Sequence, residues 1–256
     1  MDSVLLSATT WTEVEAALEA GPVTVIVPLG ATEQHGPHLP LGTDTVIAVE
    51  LARRVAQRLE NALVAPPIPV GPSTEHGSFP GTLSIPPQLL ESLLEEYVYS
   101  LERHGVDRVV LLPAHGSSFP VVNALFPSLA ADTDLDLVAV ANLDRYLELL
   151  NEGLEVSDVD VREPVVHAGA TETAMLLALD PEAVREDELT AGHEGPISPA
   201  RLFEHGIETY APNGVLGDPR AATAEAGETI LECVVDAYVG FVREEFRALE
   251  DCPDGG

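Results

Sequence analysis

Four short apolar runs, each bounded by turn-formers and separated by longer stretches of helical period, constrain this chain most. Thr24-Val25-Ile26-Val27-Pro28-Leu29 is too brief for a buried helix and has no polar alternation, as expected of a strand covered on both faces. Ala62–Ala65 with Ile68–Val70, Arg108–Leu112 and Leu135–Ala141 repeat the pattern. Between them, Val46, Ile47, Val49, Leu51, Ala52, Val55 and Leu59 follow a helix start at Thr43-Asp44-Thr45. Leu89, Leu90, Leu93, Leu94, Tyr97, Val98 and Leu101 define a helix over 88–104 that Gly105 stops. Helices are also expected over about 120–129, over 169–179, and over about 221–249 with a break near Gly227. Alternating strands and helices predict an α/β fold: a three-layer α/β/α sandwich around a mostly parallel sheet. Segments 151–165 and 180–219 show no clear period and read as excursions at a site rim or subunit contact. One domain over 1–250 with a flexible tail, 251–256, is expected.

Charge narrows the setting. Forty-three acids face twelve bases, for a net charge of -31, and every base is arginine. Such a surface repels itself in dilute salt, but at molar salt the screening length falls to about 3 Å. A salt-rich cytoplasm is therefore expected. Disorder is opposed by a 45% apolar content and a mean hydropathy of +0.13. Nucleic acid is not an expected partner, because a phosphate backbone wants a basic face. No apolar stretch near 18 residues is free of charge, and the N-terminus has no basic region ahead of an apolar run. Neither a membrane span nor a signal peptide is expected. Cys233 and Cys252 have no metal or redox spacing.

The chemistry concentrates after the first run, in Gly30-Ala31-Thr32-Glu33-Gln34-His35-Gly36-Pro37-His38-Leu39-Pro40-Leu41-Gly42-Thr43-Asp44. Ligands of open α/β sheets collect beyond the carboxyl ends of strands. Glu33 and His35, two apart, point the same way in extended chain, and Asp44 opens the next helix. An imidazole with two carboxylates can hold a divalent transition metal. Any one of these residues alone would be read as a cap or a solvated acid; together, after a strand, they favour metal. His115 follows the third run and falls at the same sheet edge, as a fourth ligand. His167 stands at the mouth of a helix with Glu172 in its first turns, suited to polarising a carbonyl and moving a proton. Glu75 and His76 lie in a turn-rich loop and could touch substrate or a partner subunit, although a plain loop explains them equally well; Ser117, just past His115, is also expected to touch substrate. There is no Gly-x-Ser-x-Gly elbow, Walker loop or nucleophilic cysteine context.

The stretch from Gly30 to Asp44 resembles the signature of the creatininase (creatinine amidohydrolase) family. The resemblance continues through Glu75-His76-Gly77, Gly81-Thr82, Ala114-His115-Gly116, His167-Ala168-Gly169, Glu172-Thr173 and Gly214–Arg220. It implies a three-layer α/β fold, hydrolysis of a non-peptide or cyclic amide by metal-activated water, and a homo-oligomer, commonly a hexamer. By motif position Glu33, His35, Asp44 and His115 would hold one or two ions of Zn, Mn or Fe, with Asp44 bridging, and His167 would face a small amide substrate. Two departures stand out. Ser117 takes the place of a second-metal glutamate, and the sole tryptophan is Trp11, whereas true creatininases set tryptophans over the substrate. Other branches remove formyl groups from flavin or deazaflavin precursors, or trim a peptide in redox-cofactor maturation. A non-catalytic binding or assembly protein on the same fold is the rival of another class. A phosphohydrolase fits less well, because no arginine lies in the best motifs.

Overall fold

The computed structural model describes residues 4–251. Helix α1 (Trp11–Ala20) leads into β1 (Thr24–Leu29), α2 (Thr43–Arg58), β2 (Ala62–Val64), α3 (Pro87–Arg103) and β3 (Arg108–Pro113). Then come α4 (Ser118–Ala131), β4 (Asp136–Ala139), α5 (Leu143–Val156), α6 (Ala170–Leu179), α7 (Pro199–His205) and α8 (Ala224–Glu250). The four strands pair in parallel in the order β2-β1-β3-β4. Helix α2, which steps from β1 outward to β2, packs with α8, and α4, which steps from β3 to β4, packs with α3, the two-face arrangement that the usual right-handed crossover produces. Every residue of β1 is buried, so both faces are covered and the fold is the expected three-layer sandwich. The strand order reverses between β1 and β3. The crevice beyond their carboxyl ends is where such sheets bind ligands.

One buried apolar cluster runs from Ala17 to Phe246. Helix α8 is its backbone on one face, packing on α2, α5 and α6. Two glycines permit that closeness. A Cβ on Gly227 would lie 1.9 Å from the Ala174 carbonyl oxygen, and one on Gly153 would lie 2.6 Å from Ile230 Cα. Gly227 therefore makes no break in α8, contrary to expectation; it is where α6 and α8 touch.

The apolar runs became strands within two residues of their expected limits, except that Ile68 only bridges Leu29 beyond the end of β2. Three helices, α1, α5 and α7, were not expected. Helix α1 buries only Ala17, so its stripe is faint. Helix α5 buries Tyr146, Leu149, Leu150 and Leu154, and it corrects the reading of 151–165 as wholly irregular. Segment 180–219 is mainly loop and short 3-10 turns, with α7 inside it. The expected tail lies outside the described residues from Cys252 onward.

Candidate metal centre

The loop after β1 carries Glu33 and His35 inward, and α2 begins so that Asp44 in its first turn faces them. His115 arrives from the loop after β3. All four are buried, Asp44 at 2% exposure and His35 at 0%. His35 Nε2 is 3.1 Å from Asp44 Oδ1 and 3.7 Å from Glu172 Oε2. His115 Nδ1 is 3.2 Å from Asp44 Oδ2 and 3.5 Å from Glu33 Oε1. Asp44 thus turns one oxygen to each of two neighbouring clusters. Among the described residues, three groupings place donor atoms close enough to hold an ion: Glu33, His35 and Asp44; His35, His167 and Glu172; and Glu33, His76 and His167.

The outer contacts show which atoms are free to coordinate. His35 Nδ1 lies 3.1 Å from the Glu33 carbonyl oxygen, and His115 Nε2 lies 2.7 Å from that of Pro72. A carbonyl can only accept, so each ring keeps a proton on that nitrogen and turns its other nitrogen towards the carboxylates, where a proton or a metal ion can sit. Glu33 Oε2 and Asp44 Oδ2 are buried without a hydrogen bond among the described residues. Imidazole nitrogens and carboxylate oxygens converging in a buried space call for positive charge between them, which a proton or a metal ion supplies. Nitrogen and oxygen donors of this kind suit zinc or manganese. The residues fit a divalent metal.

The protonation states agree. Burial opposes a charge on His35, but Asp44, Glu172 and Glu33 outweigh it and hold its pKa at about 10. Burial likewise opposes charge on His115, and Glu33 with Asp44 raises it well above the ordinary value. Burial would raise Asp44 and Glu33; their imidazole neighbours prevail and lower both. The two carboxylates thus favour a positive charge beside them, and a divalent ion would take the place of the imidazole protons. Glu172 goes the other way: burial, opposed by His35 and aided by Asp44, pushes it up to about 7. Its Oε2 accepts from the Ala168 N–H at 2.5 Å. Burial, then His76 and His35, push His167 well below its usual range, so it is a neutral imidazole.

Two residues that sequence reasoning missed hold this arrangement. Gln34 Oε1 accepts from the Gly36 N–H at 2.9 Å. Its Nε2 lies 3.1 Å from the Gly214 carbonyl oxygen, 2.9 Å from His76 Nδ1 and 2.7 Å from His167 Nε2. One amide therefore positions both histidines, and only its place between Glu33 and His35 could have marked it. Glu163, buried at 2% exposure, accepts from the N–H groups of Ala170 and Thr171 and from the Thr171 hydroxyl. It caps α6, which carries Glu172. Its local sequence is acidic and aperiodic, and no signal distinguishes it.

Glu75, His76 and Ser117, the expected substrate contacts, line a cleft of about 380 Å³ that also reaches Glu33, His115 and His167. Phe119, Leu143, Val165, Leu202, Phe203 and Ile207 make its apolar wall. Glu75 Oε1 accepts from Ser117 Oγ at 2.5 Å. Trp11 is 74% exposed, on α1, and is not among the residues of the cleft.

Residues 7–242 match the family model described as "Creatininase: Creatinine amidohydrolase". The chain belongs to the creatininase family. The creatinine amidohydrolase of Pseudomonas putida is 31% identical, covering 95% of this chain and 98% of that protein. A mycofactocin precursor peptide peptidase of Mycolicibacterium smegmatis is 39% identical, covering 83% and 81%. Among solved structures, the Mn form of creatininase superposes with a TM-score of 0.80 at 28% identity, covering 95% of this chain and 99% of that one. A Zn–Zn form of a creatininase mutant gives a TM-score of 0.79 at the same identity, over 95% and 98%. The protein is a metal-dependent amidohydrolase of this family, with a divalent ion as cofactor.

Proposed function

We propose that Glu33, His35, Asp44 and His115 hold one or two divalent ions, and that the adjoining cleft hydrolyses the C–N bond of a small amide other than creatinine. The observation that carries this reading is Asp44 set between His35 and His115, beside a cleft that Glu33, His115 and His167 line. A divalent ion bound there supplies Lewis acidity to the scissile carbonyl and lowers the pKa of the attacking water. Glu172, which burial pushes up to about 7, would take a proton from the attacking water and pass it to the leaving nitrogen. His167 stays neutral and offers a ring N–H to the carbonyl oxygen as charge develops there. The apolar wall excludes bulk water from these steps. Creatinine is disfavoured because no tryptophan is available to cover it.

A second reading, trimming of a short peptide, is favoured by one observation. The 39% relative is named for a peptide substrate, against 31% for the creatinine enzyme. The wall of Leu143, Leu202, Phe203 and Ile207 would also receive an apolar side chain. Turnover of a panel of short peptides, simple aryl amides, N-formyl arylamines and creatinine separates the readings. No hydrolysis of any amide by zinc- or manganese-loaded protein would favour the non-catalytic rival.

We further infer one catalytic domain over residues 1–250, a cytoplasmic location in a salt-rich cell, and a homo-oligomer, hexameric as the resemblance implies. The charge of -31 supports the salt. No described helix is long and apolar enough to cross a membrane. Exposed Leu83, Leu89 and Phe203 offer apolar surface for association. Light scattering in molar KCl tests the oligomer.

A further inference from the structure

We propose that Glu75 and Ser117 form a recognition point for a positively charged nitrogen of the substrate, so that the cleft selects amides bearing an ammonium group. The inference rests on the cleft being the substrate site. Glu75 is 5% exposed, in the 3-10 turn Thr74–His76. Burying a carboxylate without a counter-charge is costly. None of the twelve arginines lines the cleft, and Glu75 takes part in no ion pair among the described residues. Its neighbour His76 is engaged elsewhere, with Nε2 3.4 Å from Glu33 Oε1 and Nδ1 2.9 Å from Gln34 Nε2.

What Glu75 does have is the Ser117 hydroxyl at 2.5 Å and, more weakly, that of Thr74 at 3.5 Å. Ser117 is the residue before α4, so the helix end offsets part of the charge. A helix N-terminus amounts to about +0.5 elementary charge and cannot neutralise a full negative one. Because Ser117 donates to Glu75, its own lone pairs remain free to accept. An ammonium group, with three donors, could bond Glu75 and Ser117 Oγ together. Apart from the Glu33, His76, His115 and His167 side of the metal centre and Asn123, the wall is apolar, so away from the metal this is the place where a charged substrate group would be favoured over its neutral isostere. Ser117 stands where the family resemblance would put a metal ligand; here it organises a carboxylate for a different task.

The test is binding to the metal-loaded protein in molar KCl, followed by ligand-observed NMR. The probes are phenethylamine against 2-phenylethanol, and phenylalanine amide against its N-acetyl derivative. Each charged probe is expected to bind at least about tenfold tighter than its neutral partner. Glu75→Gln should bring the ratio within about twofold, and Ser117→Ala should lower it partway. Preference for phenylalanine amide alone would assign the site to a peptide N-terminus, and preference for both to amines in general. Equal affinities in the wild type, or a preference that survives Glu75→Gln, would overturn the proposal. So would loss of bound metal from a folded Glu75→Gln protein, because Glu75 would then be a ligand. Folding of both variants is checked by thermal unfolding. Protein that binds the amine but turns over no amide keeps this inference and loses the functional reading; one that turns over amides while ignoring charge does the reverse.

Discussion

His35 Nε2 and Asp44 Oδ1 stand 3.1 Å apart, with neither residue reaching solvent. The sequence separates them by nine positions, and a turn followed by a helix start brings them together. Each lowers the cost of charge on the other, and both lie where the two clusters meet. His35→Ala should lose metal and activity together, because it removes a nitrogen donor and leaves Asp44 buried beside a cavity. The expected loss in turnover is about 10³-fold or more, since even outer contacts to a metal site are worth about 10- to 100-fold. Elemental analysis of protein purified without chelator reads the metal. Full metal content with normal turnover in this variant would remove His35 from the centre.

Asp44→Asn asks a different question. If Asp44 bridges two clusters, neutralising it should weaken both, and a wild type holding about two ions per chain should fall below one. The number two is a family expectation, and Ser117 places it in question. Wild type with a single ion, reduced to none by Asp44→Asn, would show a mononuclear site. An unchanged content would take Asp44 out of the ligand set.

Glu163 offers a stability test away from the metal. Burial raises its pKa, the Thr171 and Ala170 donors oppose the rise, and Asp218 adds to it. The folded state therefore binds the proton more tightly than the unfolded chain, whose value is near 4.5. Its contribution to stability is present below that value and is lost as pH rises through the higher folded pKa. The difference in unfolding free energy between wild type and Glu163→Gln should show this fall. Glu163→Ala should also leave the start of α6 with unpaired N–H groups, at a cost of about 3 kcal/mol at neutral pH. Denaturant unfolding from pH 4 to 8 measures both, and a pH-independent difference would reject the titration.

These particular residues show what could be read without coordinates. Val25–Leu29 and Val109–Leu112 were legible as strands because the middle of a strand buried on both faces has little room for a polar residue. Glu33, His35, Asp44 and His115 could be grouped because sheet topology brings the ends of parallel strands together. Gln34 and Glu163 could not, because a buried amide or carboxylate finds its partners only once distant segments close over it. Gln34 meets Gly214 from 180 positions away. Helix α5 was obscured by a division placed at Asn151, inside it; Tyr146, Leu149, Leu150 and Leu154 already carried the period.

The surface makes a prediction about salt. Arg54 bonds Glu50, Glu228 and Glu232, and Arg58 bonds Glu232 and Asp236, so these scarce cations tie α2 to α8. Most of the remaining acids among the described residues have no arginine partner, and their repulsion must be screened. The unfolding temperature should climb from about 0.1 M KCl, where the screening length is about 10 Å, to about 1 M, where it is about 3 Å. A flat profile would leave the acidic composition without a stabilising role in salt.

Gly227 and Gly240 lie on the same helix and should respond oppositely to one change. Alanine is favoured over glycine inside a helix by about 1 kcal/mol. At Gly240 an added Cβ meets nothing within 4 Å, so Gly240→Ala should gain about that amount. At Gly227 the same atom would come within 1.9 Å of the Ala174 carbonyl oxygen and 2.9 Å of the Met175 nitrogen. Both are backbone atoms of α6 and cannot turn aside. The helices would have to separate, and overpacking of this kind costs about 1 to 3 kcal/mol, which cancels or exceeds the propensity gain. Because α6 carries Glu172, separation should also weaken metal binding or turnover in Gly227→Ala but not in Gly240→Ala. Thermal unfolding paired with metal titration reads both effects. Stabilisation by both substitutions would mean that α6 and α8 do not meet as closely as the structure places them.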